Sequence, residues 1–264
     1  MHEASGPPAR SKANTFAKLS QVWAALALVS LSGCATRDPT AWARSLRFPE
    51  GTSLLRARVI YVAERHNEPS HHKLQERVIR SLQQSGHALT VGMEMIDVSQ
   101  QRALDQFLAK KINWTTFAES TGFESGWGKT SPAYKRILEW CRRNRVPVLG
   151  LNAPQSVTRK IAKNQKLTSA EAALIPKFSE PPGGFKKFQA AMRDHPGSGS
   201  VRRYYEAQRA WDATMAETIL SWLRTHPGTL VVLLGQIHAD AQTGVPWDVA
   251  RNSDVRQVVI YLKE

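Results

Sequence analysis

The chain has 264 residues and a formal net charge of +14. This surplus of basic residues favours anionic partners such as lipid head groups, lipopolysaccharide or ligands that carry carboxylates. Nucleic acid is disfavoured as a partner, because no basic motif of the chain is interleaved with aromatic residues. Cys34 and Cys141 are the two cysteines, so a framework of several disulfides is excluded.

The first 33 residues have the pattern of an export signal. A basic stretch between residues 10 and 18 precedes an apolar core, Val22 to Leu31, that is too short to span a bilayer as a mature helix. The core ends in Leu31-Ser32-Gly33-Cys34, which resembles the lipobox of bacterial lipoproteins. This resemblance implies that Cys34 is diacylated and anchors the protein in the cell envelope. Ala35 then favours the outer membrane over the inner one. The alternative is an ordinary secretory peptide with an incidental cysteine.

Three regions are therefore predicted: a lipoprotein signal peptide (1–33), a polar tether (34–55) and one α/β domain (56–264). Removing 33 of the 264 residues leaves 231, enough for one large domain, with a net charge of +12. If Cys34 is acylated, no intrachain disulfide is possible. Cys141 lies in a helical pattern and is predicted to be a small core residue.

Short apolar runs, most of them rich in β-branched residues, predict the strands of a mainly parallel sheet. Runs without polar alternation are typical of strands that are buried on both faces by helices. The first four such runs are Val59–Val62, Leu89–Gly92, Val146–Leu151 and Leu230–Leu234, and Val255–Tyr261 completes the sheet.

Apolar residues at helical spacing predict helices between these strands, so the fold class is α/β with a sheet flanked by helices. In chain order the helices lie around 74–82, after Ser99 as N-cap, from 132 to 143, from 157 to 162, from Thr168 with Glu171 in capping-box spacing, and from 201 to 225. Residues 114–130 are predicted to be a loop. Residues 178–200, rich in proline and glycine, are predicted to be a mobile loop or the boundary of an insertion before the last long helix.

Four of the apolar runs end in polar residues that can do chemistry. Glu64 and His66 follow the first run, Glu94 the second, Asn152 the third, and Gln236 and His238 the fourth. Ligands of such sheets bind outside the carboxyl ends of the strands, because side chains escape the helix-covered core there. These side chains are therefore predicted to form one site at one edge of the sheet.

The polar segments, taken in order from Arg56 to the C-terminus, resemble the ChaN-like family of haem-binding bacterial lipoproteins. That family shares a superfamily with erythromycin esterases and Tiki metalloproteases. The matching segments are Ala63–Gln75, Gly92–Met95, Trp127 before Tyr134 to Leu138, Gly150–Pro154, Gln208 to Ala216, and Gly235 to His238 before Gly244–Pro246. The chain departs from the family at Ala63, where glycine is usual, at Asn67-Glu68, and at Gln236-Ile237, where small residues are common.

Two uses of the site stay open on sequence alone. Glu64, His66, Glu94 and His238 suit a divalent metal, with one carboxylate left as general base for a bound water. An imidazole can instead ligate haem iron while a carboxylate fixes its tautomer. The predicted haem-binding set is His66, His72, Trp127, Asn152, Gln236 and His238, and the predicted orienting residues are Gln208 and Asp212, four apart on one helix face. At most one of His71 and His72 is expected to point at the site.

The resemblance thus implies a haem- or iron-binding lipoprotein that serves uptake, with an outer-membrane haem or iron receptor as partner and a homodimer as a possible assembly. The alternative from the wider superfamily is a metal-dependent hydrolase of ester or peptide bonds, whose catalytic residues would be Glu64, His66, Glu94 and His238. Neither a Gly-x-Ser-x-Gly elbow nor a His-Glu-x-x-His motif occurs in the chain.

Overall fold

A five-stranded, fully parallel sheet forms the centre of the computed structural model, which describes residues 54–86, 88–193 and 200–261. The strands are β1 (Val59–Glu64), β2 (Leu89–Asp97), β3 (Val148–Asn152), β4 (Thr229–Gly235) and β5 (Gln257–Tyr261), in the order β3-β2-β4-β1-β5. Every residue of the central strands β1 and β4 is buried, as the unbroken apolar runs predict. The α/β fold class is confirmed.

Ten helices among the described residues connect and cover the strands. They are α1 (Pro69–Gln84), α2 (Gln101–Leu108), α3 (Trp114–Thr121), α4 (Phe123–Trp127), α5 (Ser131–Asn144), α6 (Gln155–Ala162), α7 (Ser169–Ala172), α8 (Gly184–Ala191), α9 (Val201–Thr225) and α10 (Val245–Ala250). Short 3₁₀ turns lie at Leu54–Arg56, Val98–Gln100 and Gly128–Thr130. Within the described part of the chain, no helix combines the length and the apolar character that crossing a membrane requires.

The sheet separates two apolar cores, because neighbouring residues of a strand point to opposite faces. Ile60 and Val62 of β1 pack in one core with residues from α1 to α5. Val59, Tyr61 and Ala63 pack in the other, with residues from α9 and α10. Because all strands run in one direction, Glu64 and Gly235, which pair across β1 and β4, both lie at the carboxyl edge of the sheet.

The prediction of a loop over residues 114–130 is wrong. Asn113 caps α3 by accepting a hydrogen bond from the backbone N of Thr116 (2.9 Å), and Gly122, in the left-handed region, separates α3 from α4. Phe117 and Phe123 are buried in the first core, so packing stabilises two short helices on either side of the glycine.

The structure also differs from the prediction at Ser99 and over residues 178–200, and it confirms the predicted helix start at Thr168. Ser99 is not an N-cap: Asp97 caps the 3₁₀ turn that leads into α2 by accepting from the backbone N of Ser99. The segment 178–200 contains α8, whose Phe188 packs against Tyr205 of α9. The capping box of Thr168 and Glu171 forms as predicted at the start of α7.

Candidate functional site

Glu64, His66, Glu94 and His238 lie together at the carboxyl edge, as the sequence predicts. Nδ1 of His66 is 2.6 Å from Oε1 of Glu64, and its Nε2 is 3.8 Å from Oε1 of Glu94. Nε2 of His238 is 3.4 Å from the same oxygen of Glu94. The topology explains this convergence, because β4, which leads to His238, lies between β1 and β2, which carry the two glutamates.

Glu64 is buried and surrounded by groups that stabilise its charge. Gln75 of α1 donates a hydrogen bond to Oε2 (2.6 Å), and the hydroxyl of Tyr134 on α5 donates to Oε1. Nε2 of His72 is 3.4 Å from Oε2, without hydrogen-bond geometry. Burial alone raises the pKa of Glu64, but the hydrogen bond from His66 and the charges of His66 and His72 outweigh it and lower that pKa.

Glu94 occupies the middle of the site. Its Oε2 accepts a hydrogen bond from the backbone N of Gly235 (2.6 Å), which fixes the carboxylate at the end of β4. Its Oε1 faces Nε2 of both His66 and His238. The carboxylate therefore lies between the two imidazoles.

His238 is held from the other side of the sheet by α9. Its Nδ1 lies 2.6 Å from Oδ1 of Asp212 and 2.8 Å from the amide nitrogen of Gln208, so both predicted orienting residues reach the imidazole. Burial alone lowers the pKa of His238, but the charges of Glu94 and Asp212 outweigh it and raise that pKa. Asp212 is itself bound by the buried guanidinium of Arg209 (Nη1 to Oδ2, 3.0 Å).

His66 is the more accessible of the two imidazoles, with 19% of its side chain exposed against 5% for His238. Burial lowers its pKa, but the hydrogen bond to Glu64 and the charges of Glu94 and Glu64 raise it to about 9. The ring centroids of His66 and Trp127 are 5.0 Å apart. A Cβ on Gly235 would lie 2.9 Å from Nε2 of His66, so the glycine leaves room beside this nitrogen.

The remaining predicted residues contribute unequally. His72 points at Glu64, whereas Nδ1 of His71 accepts a hydrogen bond from the backbone N of Arg65 (2.8 Å), so one of the pair faces the site as expected. Trp127 flanks His66 and is also anchored, since its Nε1 donates to the carbonyl of Met95 (2.9 Å).

Asn152 and Gln236 are placed at the sheet edge without joining the Glu–His group. Oδ1 of Asn152 accepts from the backbone N of Ala153 (2.9 Å), which closes the turn after the outer strand β3. The backbone N of Gln236 donates to the carbonyl of Glu64 (2.9 Å), and its side chain is half-buried. Their predicted role in binding a ligand stays a prediction.

The sequence interpretation did not assign Gln75, Tyr134 or Arg209 to the site. Gln75 is three residues after His72 on α1, which places both on one helix face, and that spacing was the available signal. Tyr134 opens one of the segments that match the family, but it was interpreted as an apolar position of α5. Arg209 has 1% of its side chain exposed and binds Asp212 and Asp248, yet in sequence it resembles any basic residue of a helix.

One imidazole of the site has its second ring nitrogen held as in a metal-binding histidine. A histidine that binds metal almost always donates its second ring nitrogen to a carboxylate or carbonyl. His66 has this arrangement, because its Nδ1 is held by Glu64 while its Nε2 forms no hydrogen bond with the residues that the structure describes. In contrast, no group of three or more His, Cys, Asp or Glu side chains within residues 54–86, 88–193 and 200–261 is arranged to hold a metal ion.

A parallel α/β domain with a Glu–His cluster at its carboxyl edge defines a class of ligand-binding proteins, and sequence comparison identifies the family. Residues 52–249 match the profile described as "Haem-binding uptake, Tiki superfamily, ChaN". The chain therefore belongs to the ChaN family of the Tiki superfamily. This confirms the resemblance that the sequence motifs indicate.

A solved structure from the same family is similar in fold. ChaN of Campylobacter jejuni, in a structure described as showing cofacial haem binding, matches with a TM-score of 0.60 and 19% identity over 80% of this chain and 84% of that one. At this identity the likeness bears on the fold alone. RRSP, a MARTX toxin effector domain from Vibrio vulnificus, matches with a TM-score of 0.44 and 13% identity over 74% of this chain and 32% of that one.

One curated relative is a plant protein. The chain is 24% identical over 236 residues to protein RETICULATA-RELATED 5, chloroplastic, of Arabidopsis thaliana. The match covers 79% of this chain but 31% of that protein, so the chain spans less than a third of the relative's length.

Proposed function

We propose that this chain binds haem at the carboxyl edge of its sheet, with Nε2 of His66 as the iron ligand. The observation that carries the proposal is the arrangement of this imidazole: Glu64 holds Nδ1 at 2.6 Å, and Nε2 faces a partly open site without a hydrogen bond. Such a carboxylate fixes the tautomer and makes the imidazole a stronger ligand. Membership of a family of haem-binding uptake proteins supports the same function.

The surroundings of His66 suit both the flat macrocycle and the propionates of haem. The ring of Trp127 offers an aromatic surface beside the imidazole, on which a flat macrocycle can pack. The strongly basic chain complements the two propionates of haem. When bound, haem supplies an iron centre, and the residues of this chain position it and tune its ligand.

The biological role is part of the same proposal. A lipid anchor at Cys34, which lies outside the described residues, holds the domain at the outer membrane, and the bound haem passes to an outer-membrane haem or iron receptor. Because His66 is reached from the protein surface, a second copy of the chain would cover the exposed face of the haem. The export motif and the family support this role.

Absorption titration with hemin tests the binding site. We expect a saturable Soret shift for the wild-type protein and a loss of at least about ten-fold in affinity for His66→Ala, because the variant lacks the bond to iron. His226→Ala is the control, since His226 stacks on Trp222 away from the Glu–His group and should change little. Non-saturable association that is indifferent to His66→Ala would refute the proposal, because basic surfaces also collect hemin without a site.

A second candidate is hydrolysis of an ester or peptide bond by acid–base chemistry. The specific observation that favours it is the position of Glu94, whose Oε1 lies 3.8 Å from Nε2 of His66 and 3.4 Å from Nε2 of His238. In this candidate Glu94 takes a proton from a water molecule, and His238, oriented by Asp212, returns one to the leaving group. Turnover of an ester or peptide by the purified protein, abolished by Glu94→Gln in a folded variant, would favour it over haem binding.

A further inference from the structure

Residues 159–178 form a surface that combines basic charge with exposed apolar side chains, here called the basic–apolar surface. It carries five basic residues against one acidic residue, a net charge of +4. In the part of the chain that the structure describes, the large hydrophobic residues classed as exposed are Leu174 (47%) and Phe178 (39%), and both lie on this segment. The two residues are four apart in sequence, and the Phe178 ring also packs on the guanidinium of Arg209 (5.9 Å from Cζ to the ring centroid). Their exposed apolar area lies among the basic residues of the same segment.

Leu174 and Phe178 are exposed although hydrogen bonds and an ion pair hold their segment in place. Lys160 of α6 forms an ion pair with Glu171 of α7 (2.5 Å), which ties the two halves of the surface together. The capping box of Thr168 and Glu171 starts α7, and the backbone N of Leu174 donates to the carbonyl of Glu171 (3.1 Å). The carbonyl of Ser179 accepts from the buried Arg209, which fixes the end of the segment to α9.

The positive charges of this surface are also left without internal compensation. Glu171 is engaged by Lys160, and no residue of the described chain forms an ion pair with Arg159, Lys163, Lys166 or Lys177. All four are exposed. Arg159, Lys163 and Lys166 lie on α6 or within four residues of its end, and Lys177 lies next to Phe178. Lysine and arginine beside exposed leucine and phenylalanine are typical of surfaces that bind the interface of an anionic membrane.

We propose that the basic–apolar surface docks on an anionic lipid bilayer, with Leu174 and Phe178 entering the interface and the four unpaired cations contacting the head groups. Charge complementarity selects the bilayer as the occupant, because a net charge of +4 opposes burial against a second copy of the same surface. The proposal goes beyond haem binding and does not depend on acylation of Cys34, since it concerns a separate surface of the folded domain.

Vesicle flotation of the full chain tests the docking, with Cys34→Ala present in every protein so that no acyl chain contributes. This parent protein, which has the wild-type surface, is compared with Lys163→Glu/Lys166→Glu/Lys177→Glu on phosphatidylcholine vesicles with and without phosphatidylglycerol. Each basic residue at an anionic surface is worth about a five-fold change in partition, so we expect the triple variant to lose roughly a hundred-fold on phosphatidylglycerol vesicles. Leu174→Ser/Phe178→Ser should still bind vesicles at low salt. At high salt it should lose the binding that the unsubstituted surface retains, because salt does not screen apolar insertion.

A charge-matched control separates docking by this surface from the general electrostatic attraction of a basic protein to anionic vesicles. Arg102→Glu/Lys110→Glu/Lys111→Glu changes the net charge equally on exposed positions around α2 and should lose much less than the first triple variant. Thermal melting verifies that every variant folds. Equal losses in the two triple variants, or no preference of the parent protein for anionic vesicles, would overturn the proposal. Retention of the parent protein's binding by Leu174→Ser/Phe178→Ser at high salt would overturn the insertion of the apolar pair.

Discussion

At the scale of single residues, the proton on His66 governs what the site can bind. The pKa of this imidazole is raised to about 9 by Glu64 and Glu94, so at neutral pH Nε2 carries a proton that iron must displace. The same raised pKa stabilises the folded protein below the unfolded value of about 6.5, and that contribution is lost as the pH rises through about 9. Ligand binding and fold stability therefore respond to this proton in opposite directions.

We predict that the affinity for hemin rises with pH up to about 9, by about ten-fold per pH unit if His66 is the group that titrates. Soret titrations across this range in one buffer system measure the slope. His66→Ala provides the comparison, because its residual binding should lack the slope. A wild-type affinity that is flat or falls between neutral pH and pH 9 would contradict His66 as the ligand.

The sequence predicts the four central residues and the orienting pair Gln208 and Asp212, but it does not predict that Tyr134 and Gln75 bind Glu64. Glu64, His66, Glu94 and His238 follow apolar runs directly, and parallel strands bring their ends to one edge by topology alone. Tyr134 and Gln75 come from helices, where a polar residue on the buried face looks like a packing position until the partner is known. Their hydrogen bonds to Glu64 depend on how α1 and α5 dock on the sheet, which no local pattern records.

At the scale of secondary-structure elements, the end of β4 sets the geometry of the site. Gly235 donates its backbone N–H to Glu94 and leaves space beside Nε2 of His66. A Cβ at this position would lie 2.9 Å from that nitrogen and 3.5 Å from Oε2 of Glu94, closer to the imidazole than real side chains approach. The end of β4 therefore accommodates the imidazole of His66 because residue 235 has no side chain.

We predict that Gly235→Ala weakens hemin binding by at least about ten-fold while far-UV circular dichroism stays unchanged, because the new methyl group displaces the imidazole and not the strand. Gly126→Ala is the matched control, since a Cβ there would meet no atom within 4 Å. Wild-type hemin affinity in a folded Gly235→Ala protein would contradict the proposed position of the iron beside Nε2.

Element boundaries were predicted best where capping chemistry is local. The capping box of Thr168 and Glu171 needs only residues three apart, and it forms as predicted. Residues 114–130 were misread because glycine and aromatic residues together suggest a loop. Phe117 and Phe123 instead pack in the first core, so tertiary contacts decide for helix over local propensity.

At the scale of the whole molecule, buried charges alternate in sign along the carboxyl edge of the sheet. The order is Glu64, His66, Glu94, His238, Asp212, Arg209 and Asp248, each within 4 Å of the next. Burial raises the pKa of Asp248 to about 6 even though Arg209 opposes this, so the carboxylate at the outer end is neutralised by acid more easily than an ordinary aspartate. Removing one member of this series of charges destabilises the fold, because it leaves a neighbouring buried charge unpaired.

The whole chain also carries a predicted attachment at its start. Cys34 lies outside the described residues, and the lipobox resemblance predicts that it is acylated. Two acyl chains at Cys34 would by themselves give stable attachment. The basic–apolar surface would add a second, weaker contact, in which salt screens the charges and leaves the insertion of Leu174 and Phe178.

We therefore predict that Cys34→Ala either blocks maturation, so that the protein migrates as the longer precursor, or yields a protein of which high salt washes most from membranes. Wild type should be processed and should resist the same wash, because acyl chains contribute about 0.8 kcal/mol per buried methylene. Cys141→Ala is the control, since Cys141 is buried and cannot be acylated in the folded domain. If Cys34→Ala migrates like wild type and stays with the membrane after the wash, the lipid anchor is refuted, and the basic–apolar surface alone would have to explain the attachment.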